Sequence, residues 1–69
     1  MDIPQKIKAA EAYSGINESK LAAELGTSRS ALNQRMQTGK FSTQELEKIA
    51  AHLGCTFVCK FVFPDGTEI

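Results

Sequence analysis

The chain has 69 residues, of which 42% are hydrophobic, with eight basic and eight acidic residues and a formal net charge of zero. This length predicts one small domain spanning residues 1–69, the apolar fraction excludes a disordered chain, and the neutral balance alone counts against nucleic-acid binding. No apolar run approaches the 18 or so residues of a membrane span and no signal peptide opens the chain, so we expect a cytoplasmic protein.

Start and stop signals divide most of the chain into four predicted helices. Asp2 followed by Gln5, and Ser42 followed by Glu45, are capping-box pairs for the first and fourth helices. Asn17 is a good N-cap for the second helix, and Thr27 or Ser28 caps the third. Glycines follow the apolar stretches and predict the helix ends. The predicted helices span residues 3–13, 18–25, 28–37 and 43–53.

Each predicted helix carries an apolar stripe at helical spacing, and we expect these stripes to face one core. The inward residues are Ile3, Ile7, Ala10 and Tyr13 in the first helix, Leu21, Ala22 and Leu25 in the second, Ala31, Leu32 and Met36 in the third, and Leu46, Ile49, Ala50 and Leu53 in the fourth. Phe41, just before the fourth helix, is also predicted to be a core residue.

After Gly54 the apolar period changes from 3.6 to 2. Residues 56–63 are rich in β-branched and aromatic side chains and predict a strand. Residues 64–66 are a turn signal, so we expect a β-hairpin over residues 56–69. Cys55 and Cys59 lie four residues apart, about 13 Å in a strand, which is too far for a disulfide. They are predicted to be small buried hydrophobic residues.

Residues 16–39 have the features of a helix-turn-helix. Ala22 and Gly26 allow two helices to cross closely, while Leu32 and Met36 anchor the second helix from behind. Arginine pairs well with guanine, and asparagine or glutamine with adenine, so the polar side is a candidate for base recognition. The alternative is an ordinary solvated helix face. The residues on this side are Arg29, Ser30, Asn33, Gln34 and Gln37.

Residues 20–32, KLAAELGTSRSAL, are similar to the Leu-Ala-x-x-Leu-Gly-x-Ser-x-Ser-x-Ile pattern of the Cro and phage-repressor type of helix-turn-helix proteins. The resemblance covers residues 3–54, and the tail resembles the β-hairpin of some short stand-alone members. It implies a mainly α (α+β) fold, a four-helix domain of the lambda-repressor-like type followed by a C-terminal β-strand or hairpin. It also implies a sequence-specific DNA-binding transcriptional regulator, a repressor that binds its operator as a homodimer with helix 28–37 in the major groove.

The resemblance also implies roles for individual residues. By position, the groove-facing residues are Ser28, Arg29, Ser30, Asn33, Gln34 and Gln37. Lys40 lies near the backbone phosphates. The chain departs from the family at Glu18, where many members have a glutamine that touches a phosphate; a carboxylate repels phosphate, so Asn17 or Ser19 takes over that contact. The loop after the third helix is one residue longer than in common members, which leaves open whether Arg35, Gln37 or Lys40 points at DNA.

The charge pattern predicts a dimer. Arg29, Arg35 and Lys40 are the only charged residues between positions 25 and 44. A single subunit with so few cations binds DNA weakly. A second subunit, bound about 34 Å away along the DNA, compensates for this weak binding. We expect two tails to join by strand pairing or face packing; the alternative is a monomeric hairpin that only completes the core. The predicted dimer residues are Phe57, Val58, Phe61, Val62 and Phe63.

The sequence offers no pattern for catalysis. No nucleophile lies near a plausible base, and paired carboxylates and a glycine-rich phosphate loop are missing, so we do not expect an enzyme. We expect neither a metal nor another cofactor, since His52 is the single histidine. Double-stranded DNA is the expected partner. The alternative is a protein-interaction or antitoxin-like adaptor module that uses the same fold.

Overall fold

The computed structural model describes all 69 residues and is mainly helical. Each of the four predicted helices is present, with ends that differ by no more than one residue from the predicted bounds. The structure contains no sheet. In chain order the helices are α1 (Ile3–Ser14), α2 (Glu18–Glu24), α3 (Arg29–Thr38) and α4 (Thr43–His52).

Two capping boxes fix the starts of α1 and α4, as predicted. The Asp2 carboxylate accepts a hydrogen bond from the Gln5 backbone N–H at 2.9 Å, and the Asp2 backbone N–H donates to Gln5 Oε1 at 2.9 Å. Ser42 and Glu45 exchange the same pair of bonds at 3.1 and 3.2 Å. Each box satisfies backbone donors that have no partner within the helix.

The core is a single cluster of buried apolar side chains from all four helices. Leu21 is fully buried at its centre. The inward faces predicted for α2, α3 and α4 are therefore confirmed, and Phe41 packs against the cluster as predicted. The eight members are Ile7, Leu21, Ala22, Leu32, Met36, Leu46, Ile49 and Leu53, with Ile3, Ala10, Ile16, Leu25, Phe41 and Phe57 partly buried around them.

The inward face predicted for α1 is wrong at its end. Tyr13 is 96% exposed, whereas Glu11 is only 6% exposed. Four residues after Ile7, Glu11 completes the inner stripe of the helix. Tyr13 lies two residues further, roughly 200° around the helix axis, and so projects into solvent. From the side chains alone, the aromatic Tyr13 is expected in the core and the charged Glu11 in solvent.

The strand predicted over residues 56–63 is not present. A short hairpin remains, with one antiparallel bridge between Val62 and Glu68, closed by backbone hydrogen bonds of Phe61 with Ile69 and of Phe63 with Thr67. The backbone groups of residues 56–60 make no backbone–backbone hydrogen bond. A strand needs a neighbour to pair with, and the helices offer none. The predicted turn is present, because the Gly66 N–H donates to the Phe63 carbonyl at 2.9 Å.

The tail after α4 projects from the helical body. The radius of gyration is 13.3 Å and the principal extents are 43 × 23 × 19 Å, whereas a compact chain of this length has a radius of about 11 Å. Phe57 packs against the core, but Cys55 and Cys59 are exposed, so their predicted burial is wrong. None of the helices combines the length and apolarity needed to cross a bilayer.

Candidate nucleic-acid interface

Four residues, 25–28, join α2 to α3. The Thr27 N–H donates to the Ala22 carbonyl at 2.9 Å, which closes the turn against the end of α2. Gly26 has a φ of +75°, in the left-handed region that other residues adopt at a cost. Ala22 is 1% exposed. The small residue and the glycine predicted for a helix-turn-helix therefore lie where that arrangement requires them.

The two sides of α3 differ sharply in chemistry. Leu32 and Met36 are buried and hold the helix against the core. The opposite side carries exposed residues at i, i+3, i+4 and i+7, which form one continuous stripe. We call it the outer face of α3. None of its side chains has a hydrogen-bond partner within the chain, and none is charged. The outer face consists of Ser30, Asn33, Gln34 and Gln37.

Arg29 lies at the first position of α3, beside the outer face, and is exposed. Its positive charge acts on the buried carboxyl of Glu11. Burial and the charge of Glu18 raise the pKa of Glu11, while Lys8 and Arg29 oppose that rise. The acidic Glu11 thus lies within electrostatic range of Arg29, and the candidate interface is less basic than the sequence count between residues 25 and 44 suggested.

Asn17 and Ser28 cap the two helices of the candidate interface. Asn17 Oδ1 accepts from the Lys20 N–H at 2.8 Å, and Ser28 Oγ accepts from the Ala31 N–H at 3.1 Å. These bonds use acceptor atoms only, so the Asn17 amide hydrogens and the Ser28 hydroxyl hydrogen stay available to a ligand. Ser19 is exposed in the first turn of α2, beside the half-buried Glu18.

The three residues whose orientation the sequence left open have different surroundings. Arg35 forms an ion pair with Glu45, donates to the Lys40 carbonyl at 3.0 Å and lies 5.2 Å from the centroid of the Phe41 ring. Gln37 belongs to the outer face. Lys40 is exposed, and its ammonium has no ion-pair partner. Of the two cations, only Arg35 is therefore paired within the chain.

The residues predicted for dimerisation lie mostly in the projecting tail. Phe57 is half-buried against the core, whereas the other four are between 47% and 75% exposed. Ile69 adds another exposed apolar side chain at the same end of the chain. We call this set the tail surface. It consists of Val58, Phe61, Val62, Phe63 and Ile69.

Sequence reasoning missed one polar contact between helices. The Nδ1 of His52 lies 3.3 Å from Glu24 Oε2, and the pair links the ends of α2 and α4. The two residues are distant in sequence, so no local pattern indicated the contact. No group of three or more His, Cys, Asp or Glu side chains is placed so that it could hold a metal ion.

Comparison with protein-family models, curated proteins and solved structures finds no match to this chain. The features that bear on function are therefore those of the molecule itself. They are a closed turn between two helices, an anchored α3 with an uncharged polar outer face, and an exposed apolar tail surface.

Proposed function

We propose that this chain is a sequence-specific DNA-binding transcriptional regulator, a repressor, that inserts α3 into the major groove. The outer face of α3 carries the proposal. Its amides suit the adenine edge, which presents one donor and one acceptor side by side, and Arg29 suits guanine. Leu32 and Met36 hold the helix from behind, so the polar groups are presented on a rigid support.

Phosphate contacts orient such a helix on the duplex. The groups available for them are the Lys40 ammonium, the Asn17 amide and the hydroxyls of Ser19 and Ser28. Arg35 is already paired with Glu45. So few cations predict a shallow dependence of affinity on salt and weak binding by one subunit.

A homodimer compensates for weak binding by each subunit. Residues 56–60 carry backbone groups without backbone partners, and the adjoining tail surface is apolar and exposed. Two tails that pair across a two-fold axis give these backbone groups hydrogen-bond partners and cover the apolar side chains of the tail surface. Pairing of this kind supplies the neighbour that the predicted C-terminal strand lacks. We place this dimer in the cytoplasm, bound to double-stranded DNA.

Selection from a pool of random duplexes at low salt tests the proposal. The unmodified protein should enrich one sequence with two related halves centred about one helical turn, roughly 10 base pairs, apart. Adenines should recur where the amides of the outer face reach base edges. A retained pool without any recurring sequence contradicts the proposal.

The second candidate is a protein-interaction or antitoxin-like adaptor module without enzymatic activity. The observation that favours it is the tail surface, where Phe61 and Ile69 are each 75% exposed, together with the zero net charge. Exposed apolar patches often mark protein-binding sites. In this case the tail binds a different protein, and the duplex selection yields no recurring sequence.

A further inference from the structure

Arg35 lies near the end of α3, beside the outer face rather than on it. Its Nη2 donates to the Lys40 carbonyl at 3.0 Å and also to Glu45 Oε2. The guanidinium carbon lies 5.2 Å from the centroid of the Phe41 ring, within the range of a cation–π contact. One side chain thus joins α3, the loop of residues 39–42 and the first turn of α4.

Glu45 is itself held in place by the start of α4. Its Oε1 accepts from the Ser42 backbone N–H at 3.2 Å, and the Ser42 hydroxyl accepts from the Glu45 N–H at 3.1 Å. The other carboxylate oxygen, Oε2, faces Arg35. The Ser42 backbone bond, and then the Arg35 bond, lower the pKa of Glu45, so the carboxylate stays ionised. The capping box therefore provides a fixed acceptor for the guanidinium.

The loop is also held from the side of α3. The Thr38 hydroxyl donates to the Arg35 carbonyl at 3.0 Å, and the Lys40 N–H donates to that hydroxyl at 3.4 Å. Gly39 turns the chain with a φ of +68°. Both backbone polar groups of Lys40 are therefore engaged, whereas its ammonium is free of ion pairs.

We propose that Arg35 is a positioning residue for DNA binding, which fixes the loop that presents Lys40 to a phosphate and does not touch DNA itself. This role rests on the proposed function. The guanidinium nitrogen Nη2 donates both to Glu45 and to the Lys40 carbonyl, and Glu45 neutralises the charge of the side chain. The pairing with Glu45 counts against a phosphate contact by Arg35, since a neutralised guanidinium attracts a phosphate less than a free one does.

The two roles predict opposite effects of removing the charge of Glu45. If Arg35 positions Lys40, Glu45→Gln loosens the loop and weakens DNA binding. If Arg35 is a phosphate contact, Glu45→Gln frees the guanidinium, removes a negative charge and strengthens binding. Glutamine suits this capping position as well as glutamate does, so α4 keeps its cap.

The experiment compares Glu45→Gln with Glu47→Gln by titrating a selected duplex at several salt concentrations. Glu47 is exposed on the same helix and has no ion-pair partner, so the control removes the same charge. We expect Glu45→Gln to bind about twofold to fivefold more weakly than Glu47→Gln. Its salt slope should be equal to or shallower than that of the control, because the loss acts through the Lys40 phosphate contact, whereas a new phosphate contact by Arg35 would steepen the slope.

Arg35→Lys adds a second variant that keeps the charge but loses the planar fork of donors. It should weaken binding as much as Glu45→Gln does, and the double variant should be no weaker than either single one. Exposed ion pairs contribute little to stability, so circular dichroism should show all variants fully folded at the titration temperature. A structural effect alone would lower the folded fraction and leave the affinity of the folded molecules unchanged.

Binding by Glu45→Gln that equals or exceeds that of Glu47→Gln overturns the positioning role, while binding by the unmodified protein keeps the proposed function intact. An unmodified protein that selects no duplex overturns the proposed function and the role of Arg35 with it. The two failures are therefore distinguishable.

Discussion

Glu11 is the only charged residue among the buried side chains. Its Oε2 is buried without a hydrogen-bond partner. Burial, followed by the charge of Glu18, raises the pKa of Glu11, although Lys8 and Arg29 act in the other direction. An ionised carboxyl in such a place destabilises the fold, because burial removes its hydration and no partner replaces it.

This residue predicts a pH dependence of stability. An unfolded glutamate has a pKa of about 4.3, and the folded value is raised, so the folded state binds this proton more tightly. Stability from this group is therefore fully present below about pH 4 and is lost as the pH rises through the raised pKa. Glu11→Gln should be more stable than the unmodified protein by about 1 kcal/mol at pH 7, with no difference near pH 4.

Urea denaturation followed by circular dichroism between pH 4 and pH 8 measures this effect. Glu47→Gln, which changes an exposed glutamate, is the control and should follow the unmodified protein. Equal pH dependence in Glu11→Gln and in the unmodified protein would exclude Glu11 as a source of instability.

At the residue scale, the sequence predicted core positions wherever the inward residue is apolar. It failed at Glu11 and Tyr13, because the inward position of α1 is occupied by a carboxylate and the aromatic residue lies outside the stripe. Hydrophobic periodicity identifies the inward face of a helix only through the positions that hold apolar residues. A buried charge is visible only once the neighbouring helices are in place.

At the element scale, all four helices were predictable because their signals are local. A capping residue and its partner lie three positions apart, as in Ser42 and Glu45, and each turn glycine marks its own helix end. The tail has an equally clear alternation over residues 56–63, yet it forms no strand within the chain. A strand forms only when it pairs with another segment, and the alternation of apolar residues in one segment does not indicate whether such a segment is present.

The tail therefore carries the prediction about assembly. We expect the unmodified protein to sediment as a dimer at micromolar concentration, and Phe61→Asp to sediment as a monomer. Phe61 is 75% exposed on the tail surface, and a carboxylate there must lose its hydration if two tails are to pack together.

Tyr13→Asp is the matched control, because it places the same charge at an exposed aromatic residue of α1 and should leave the dimer intact. A monomeric unmodified protein, with no change of state on Phe61→Asp, would exclude the tail dimer. The helical body should stay folded in both variants, since neither residue belongs to the core.

At the scale of the whole molecule, charge placement matters more than net charge. The sequence indicated three cations and no acid between residues 25 and 44. The fold pairs Arg35 with Glu45 and brings Arg29 close enough to Glu11 to act on its carboxyl. The candidate interface is therefore only weakly basic, and the proposed recognition of DNA requires hydrogen bonds from uncharged side chains.

Sequence reasoning identified most residues of this candidate interface, but it missed the polar contacts between helices. The outer face of α3 follows from helical spacing, so its members were predictable one by one. The contacts of Arg35 and of His52 join residues on different helices, and their partners depend on how those helices pack. Such contacts appear only when the tertiary structure is known.

The measurement that tests the central claim most directly is the affinity of the Arg29→Ala, Asn33→Ala double variant for the selected duplex. The control is Gln44→Ala with Lys48→Ala, which removes one amide and one cation from exposed positions on α4. Each good side chain–base pair contributes about 1–3 kcal/mol, so the double variant should lose at least 30-fold or so in affinity while its helical content stays unchanged. Binding as tight as that of the control variant would contradict the assignment of α3 as the helix that reads DNA.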